Sequence, residues 1–140
     1  MVVDDSAPFR DVLREVVAAT PGMLHVGEAT SGEGALEALG QLVPELVIID
    51  KRMPGTGGIE TARRIRSRHP EVVVILASAE TPRGEALEAS GAHAFVHKRD
   101  LTPRTLSALW REHAGRLGAG HVQDEGDDPR AATAGALDRE

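Results

Sequence analysis

The chain is 140 residues long, enough for one domain with a sizeable core and too short for two. It is 41% hydrophobic but only 2% aromatic, so its core is aliphatic, and with no cysteine it can form neither disulfides nor thiolate metal sites; a reducing cytoplasm is the expected setting. A formal charge of −6 argues against nucleic-acid binding, and no apolar run reaches the roughly 18 residues of a membrane span.

Met1 to Val3 read as a short stub of strand that ends at Asp4 and Asp5. Phe9, Val12, Leu13, Val16 and Val17 follow at helical spacing, which predicts a helix with these residues inward and a stop at Pro21-Gly22. Leu24 to Ala29 reads as a second strand, and Ser31 to about Leu42 as a helix with Ala35, Leu36 and Leu39 inward, broken by Pro44. The run Leu46-Val47-Ile48-Ile49 is continuous and apolar, as a parallel strand buried on both faces requires, and it ends at Asp50.

Met53 to Gly58 reads as a turn, leading into a helix with Ile59, Ala62 and Ile65 inward and Arg63, Arg64, Arg66 and Arg68 outward. Val72 to Leu76 is a further buried strand running into Ala77-Ser78. Pro82 suits the first turn of a short helix ending near Gly91, and Ala94 to His97 forms the fifth strand. Thr102-Pro103 has the form of an N-cap and first helical residue, with Leu106, Leu109, Trp110 and His113 as the inner stripe of the last helix.

Strict alternation of strands and helices predicts an α/β fold: a doubly wound, three-layer parallel sheet with helices on both faces and right-handed crossovers. Residues 119–140 carry six acidic groups against two arginines and few large apolar side chains, so they are expected to form a disordered acidic tail after a domain spanning 1–118.

In such sheets ligands bind beyond the carboxyl ends of the strands. Asp4 and Asp5, Asp50, Ser78 and Lys98 all fall there. The chain has fourteen arginines but only two lysines, Lys51 and Lys98, which hints that a compact, mobile ammonium is needed at position 98. Three carboxylates gathered at one edge repel, each close pair by about 4 kcal/mol at an effective dielectric of 20. A cation must sit among them, and an all-oxygen set favours Mg²⁺.

The blocks Val2-Val3-Asp4-Asp5-Ser6, Asp50-Lys51-Arg52-Met53-Pro54-Gly55 with Gly58, Ala77-Ser78-Ala79, and Gly91 to Lys98 resemble, in order and spacing, the signatures of CheY-like response-regulator receiver domains. The resemblance covers residues 1 to about 118 and implies a flavodoxin-like fold with strand order 2-1-3-4-5. It implies further that Asp50 is the phosphoacceptor, that Asp5, Asp50 and the Arg52 backbone carbonyl bind Mg²⁺ directly, and that Asp4 acts through water. Lys98 would contact the phosphoryl group, Ser78 would be the switch hydroxyl, and Phe95 the aromatic that moves with it. The donor would be a phosphohistidine on a sensor kinase or phosphotransfer protein, and a phosphorylation-dependent homodimer is a further expectation.

The sequence departs from the commonest pattern where Arg99 follows Lys98, a place many receivers fill with proline. Lys98-Arg99-Asp100-Leu101 and Val26-Gly27-Glu28-Ala29 instead look like NarL/FixJ-type receivers, which normally precede a helix-turn-helix domain; no such domain is read here. The alternative reading is therefore a receiver remnant of a DNA-binding regulator. Arg52 and Glu80 flank the acceptor and are expected to pair across its mouth. An aspartyl-phosphate enzyme of the haloacid-dehalogenase kind would need a second aspartate at position 52, where arginine stands. The expectation is a non-enzymatic switch.

Overall fold

The computed structural model describes residues 1–80 and 84–121. Its strands are β1 (Val2–Val3), β2 (Glu28–Ala29), β3 (Leu46–Asp50), β4 (Val73–Ser78) and β5 (Ala94–His97). Its helices are α1 (Ala7–Ala19), α2 (Gly32–Leu42), α3 (Gly58–Arg68), α4 (Gly84–Ser90) and α5 (Pro103–His121), with a 3₁₀ turn at Lys98–Asp100. All strand pairs are parallel, in the order β2-β1-β3-β4-β5. This is the doubly wound flavodoxin-like arrangement that the resemblance implied.

Alternation along each strand divides the core into two layers. Val3, Val47, Ile49, Val74 and Leu76 meet α2 and α3 through Ala35, Leu39, Ala62 and Ile65. Val2, Ile48, Val73, Ile75 and Val96 meet α1 and α5 through Leu13, Val17 and Leu106. β3 and β4 are covered on both faces, which is why their sequences are unbroken apolar runs. Local chemistry sets the helix starts: the Ser6 and Ser31 hydroxyls accept the Phe9 and Gly34 N–H groups, and the Thr102 hydroxyl accepts that of Thr105.

Two expectations are corrected. The second strand was expected over Leu24 to Ala29, but only Glu28 and Ala29 enter the ladder. β2 has β1 as its one neighbour in the sheet, and β1 pairs it only through Val2 and Val3, so Leu24 and Val26 are left exposed. Val12 was expected to face inward but is 50% exposed, because the buried stripe of α1 runs through Phe9, Leu13, Val16 and Val17 and position 12 lies to its side.

Other expectations hold, with Leu36, Ile59, Leu109 and Trp110 partly buried against the core. The expected tail falls almost wholly outside the described residues, as does Pro82; α5 itself extends to His121. No helix among the described residues is long and apolar enough to cross a membrane.

Candidate functional site

The register alone brings the acidic residues together. Val2 lies beside Ile48 in the β1–β3 ladder, so two residues further on Asp4 comes level with Asp50 and points to the same face. Asp4 is 1% exposed and Asp50 7%, while Asp5 is exposed beside them. One oxygen from each of Asp4, Asp5 and Asp50 lies within 4.8 Å of the others.

Lys98 completes the cluster from the far side. It follows the end of β5, two residues past Val96, which pairs with Ala77. Its ammonium lies 2.9 Å from Asp4 Oδ2 and 3.3 Å from Asp50 Oδ1. Asp4 Oδ1 accepts the Ser6 N–H at 2.8 Å. Burial, and then the neighbouring Asp4 charge, push the Asp50 carboxyl above its ordinary value; Lys98 and the Arg52 backbone N–H pull against that shift.

The donor set suits a hard divalent cation. It is all oxygen, and it includes the buried Asp4 Oδ2, which lies near the ammonium but accepts no hydrogen bond among the described residues. A buried carboxylate oxygen left in that state calls for more positive charge than Lys98 alone supplies.

Ser78 is the last residue of β4, next to Ala77, the β4 partner of Asp50. It is buried, and its hydroxyl accepts the Glu80 N–H at 3.0 Å. Glu80 in turn reaches across to Arg52 at 2.6 Å, with Lys51 at 3.9 Å, so the expected pair across the mouth is formed. Phe95 is half-buried in β5 against the α2/α3 layer, and the Lys51 ammonium stands 5.9 Å from its ring centre.

The loop between β3 and α3 is held tightly. A Cβ at Gly58 would lie 2.1 Å from the Asp50 carbonyl oxygen, so no residue other than glycine allows α3 to start there. Gly55 has φ +73°, and the Thr56 hydroxyl donates to Glu33 of α2 at 2.6 Å.

Two features of the site escaped sequence reading. The 3₁₀ turn that Lys98 opens directly after β5 was not foreseen. The Phe9 ring, taken only as core, has the Lys98 ammonium 4.2 Å from its centre. The signal for the second was present: Phe9 lies four residues after Asp5, at the start of the helix that those aspartates feed. A separate cavity of about 400 Å³ lies at the opposite, amino end of the strands, between Met1, Val17, Leu24 and Trp110; its mostly apolar lining holds none of these groups.

Comparison with known proteins bears on the family and the fold. A family model described as the response regulator receiver domain matches residues 1–109. A protein-glutamate methylesterase/protein-glutamine glutaminase of a Nocardioides species is 41% identical over 96 residues, which cover 67% of this chain and 26% of that protein. The response regulator GacA of Pseudomonas viridiflava is 34% identical over 118 residues, covering 83% of this chain and 55% of GacA. This chain thus matches only part of the length of either curated relative. Among solved structures, the signal receiver domain of the response regulator NarL from Mycobacterium tuberculosis superposes with a TM-score of 0.71 at 30% identity, covering 81% of this chain and 93% of that one.

Proposed function

The chain belongs to the response-regulator receiver domain family, and on that premise we propose that it is a phosphoryl-accepting switch of two-component signalling with Asp50 as the acceptor. The observation that carries this reading is Lys98, held between the buried Asp4 and Asp50 at the carboxyl edge of the sheet.

The donor is a phosphohistidine on a sensor kinase or phosphotransfer protein. An Asp50 carboxylate oxygen attacks phosphorus, the P–N bond breaks, the imidazole leaves, and an aspartyl phosphate remains. Asp4, Asp5 and Asp50, with the Arg52 backbone carbonyl, would hold Mg²⁺, which when bound offsets the negative charge of carboxylates and phosphoryl group. Lys98 is already within reach of Asp50 and balances charge on the transferred group's oxygens.

Ser78 then exchanges its bond from the Glu80 N–H for one to a phosphoryl oxygen, and Phe95 repacks beside it. The surface of α4, β5 and α5 reports the change to a protein partner, and it is there that a phosphorylation-dependent homodimer would form. The chemistry is that of a switch rather than of a turnover enzyme, and the expected setting is the cytoplasm. A second reading, in which the chain is the receiver remnant of a DNA-binding regulator, is favoured by the Lys98-Arg99-Asp100-Leu101 run and by 38% identity to the transcriptional activator protein ExaE of Pseudomonas putida, of which the match covers 55%.

The test is incubation with a small-molecule phosphodonor and Mg²⁺, followed by intact mass. The wild type should gain one phosphoryl group and Asp50→Asn none. No gain in the wild type, or equal gain in both, overturns the reading.

A further inference from the structure

The chain has two lysines and two phenylalanines in 140 residues, and each lysine stands over one of the rings beside the acceptor. The closer pair is Lys98 with Phe9, 4.2 Å from ammonium to ring centre, well inside the range in which a cation is attracted to an aromatic face. Phe9 is fixed in that position by the same stretch that supplies the carboxylates. Asp4 Oδ1 accepts the Ser6 N–H, Ser6 caps α1 by accepting the Phe9 N–H at 3.3 Å, and the Phe9 ring packs on the α1/α5 layer of the core. The ammonium is therefore enclosed by two carboxylates and one π face.

We propose that Phe9 is a positioning residue for Lys98, its ring retaining the ammonium at the acceptor when a divalent cation takes over the carboxylates. The proposal rests on the phosphoacceptor reading above. The physical reason is competition. A cation held by Asp4, Asp5 and Asp50 weakens the hold of the carboxylates on Lys98 and repels it. A flexible lysine with no other attachment would swing into water, and the transferred phosphoryl group would lose its second counter-charge. The ring face of Phe9 is uncharged, is not consumed by the metal, and attracts the ammonium in both states. It therefore opposes metal binding slightly and favours phosphoryl transfer, a pair of opposite effects that a residue serving only to fill the core would not produce.

The experiment compares Phe9→Leu, Phe9→Tyr and Lys98→Met in the full chain, with Mg²⁺ affinity from calorimetry and phosphorylation rate from intact mass with a small-molecule phosphodonor. Phe9→Leu should bind Mg²⁺ more tightly and accept phosphoryl more slowly, each by ~2- to 30-fold, and Phe9→Tyr should behave as wild type. In the Lys98→Met background Phe9→Leu should leave Mg²⁺ affinity unmoved, because no ammonium remains to be held. An equal shift with and without Lys98, or a joint loss of affinity and rate in Phe9→Leu, would overturn the proposal. Phe9→Met, which keeps bulk without a π face, replaces Phe9→Leu if the smaller residue does not fold. A wild type that takes no phosphoryl group sinks the phosphoacceptor reading, while the Mg²⁺ comparison still decides the role of Phe9.

Discussion

The body of the sheet and its carboxyl edge are built on opposite principles, though they share the same strands. In β3 and β4 every residue from Val47 to Ile49 and from Val73 to Ala77 is apolar and buried, and each gains by leaving water. One residue further on, Asp50 and Ser78 are equally buried, with Asp4 and Lys98 beside them, and the charged members of that group lose hydration there. The interior makes the fold stable; the edge draws on that stability to hold charges together where, on the proposed function, a cation and a phosphoryl group arrive.

Substitutions sharpen this contrast. The largest expected effect on stability is in the interior: Leu76→Ala, at a fully buried position of β4, should destabilise by ~2–5 kcal/mol in chemical denaturation. A loss below about 1 kcal/mol would show that the interior is not the source of stability. At the edge the sign should reverse. Asp50→Asn removes a carboxylate whose ionised form is disfavoured by burial and by Asp4, so without metal it should stabilise by about 1 kcal/mol near neutral pH.

The pH dependence follows from the direction of that shift. A carboxyl raised in the folded state above its ordinary 3.8 costs stability in full above the folded value, and the cost fades as pH falls through that value towards 3.8. The advantage of Asp50→Asn in thermal unfolding should therefore shrink on acidification and vanish below 3.8. An advantage that grows on acidification contradicts the assignment. The smallest effect belongs to the outer rim. Arg52 and Glu80 pair in solvent at 71% and 51% side-chain exposure, so alanine at either should change stability by less than ~0.5 kcal/mol. The same changes should alter the lifetime of the phosphoryl group on Asp50, and unchanged decay in both variants would remove them from the mechanism.

The same contrast explains what was legible in the sequence. β3 and β4 could be read from composition because burial on both faces leaves no room for polar residues, and the order of Asp4, Asp5, Asp50, Ser78 and Lys98 after successive strands followed from counting elements. β2 could not be read correctly: Leu24 and Val26 have the composition of a strand, but a ladder needs a partner, and partner length is not a local property. Val12 failed for a related reason, since a helix carrying several apolar residues shows which of them face the core only once the sheet is in place. The Phe9–Lys98 contact joins residues 89 positions apart; the place of Phe9 just after the aspartates hinted at it, but which cation its ring would meet was not a local property.

Gly58 carries a consequence for how the molecule can be observed. Because α3 starts against the carbonyl of Asp50 with no side chain between them, strand end and helix start form one stiff joint, and neither can shift without displacing the other. A spectroscopic label on the solvent side of α3, at Arg63 for instance, would sense strain in the Asp50 main chain from outside the pocket. The third helix could then serve as an external gauge of events at Asp50, leaving every side chain of the proposed site untouched.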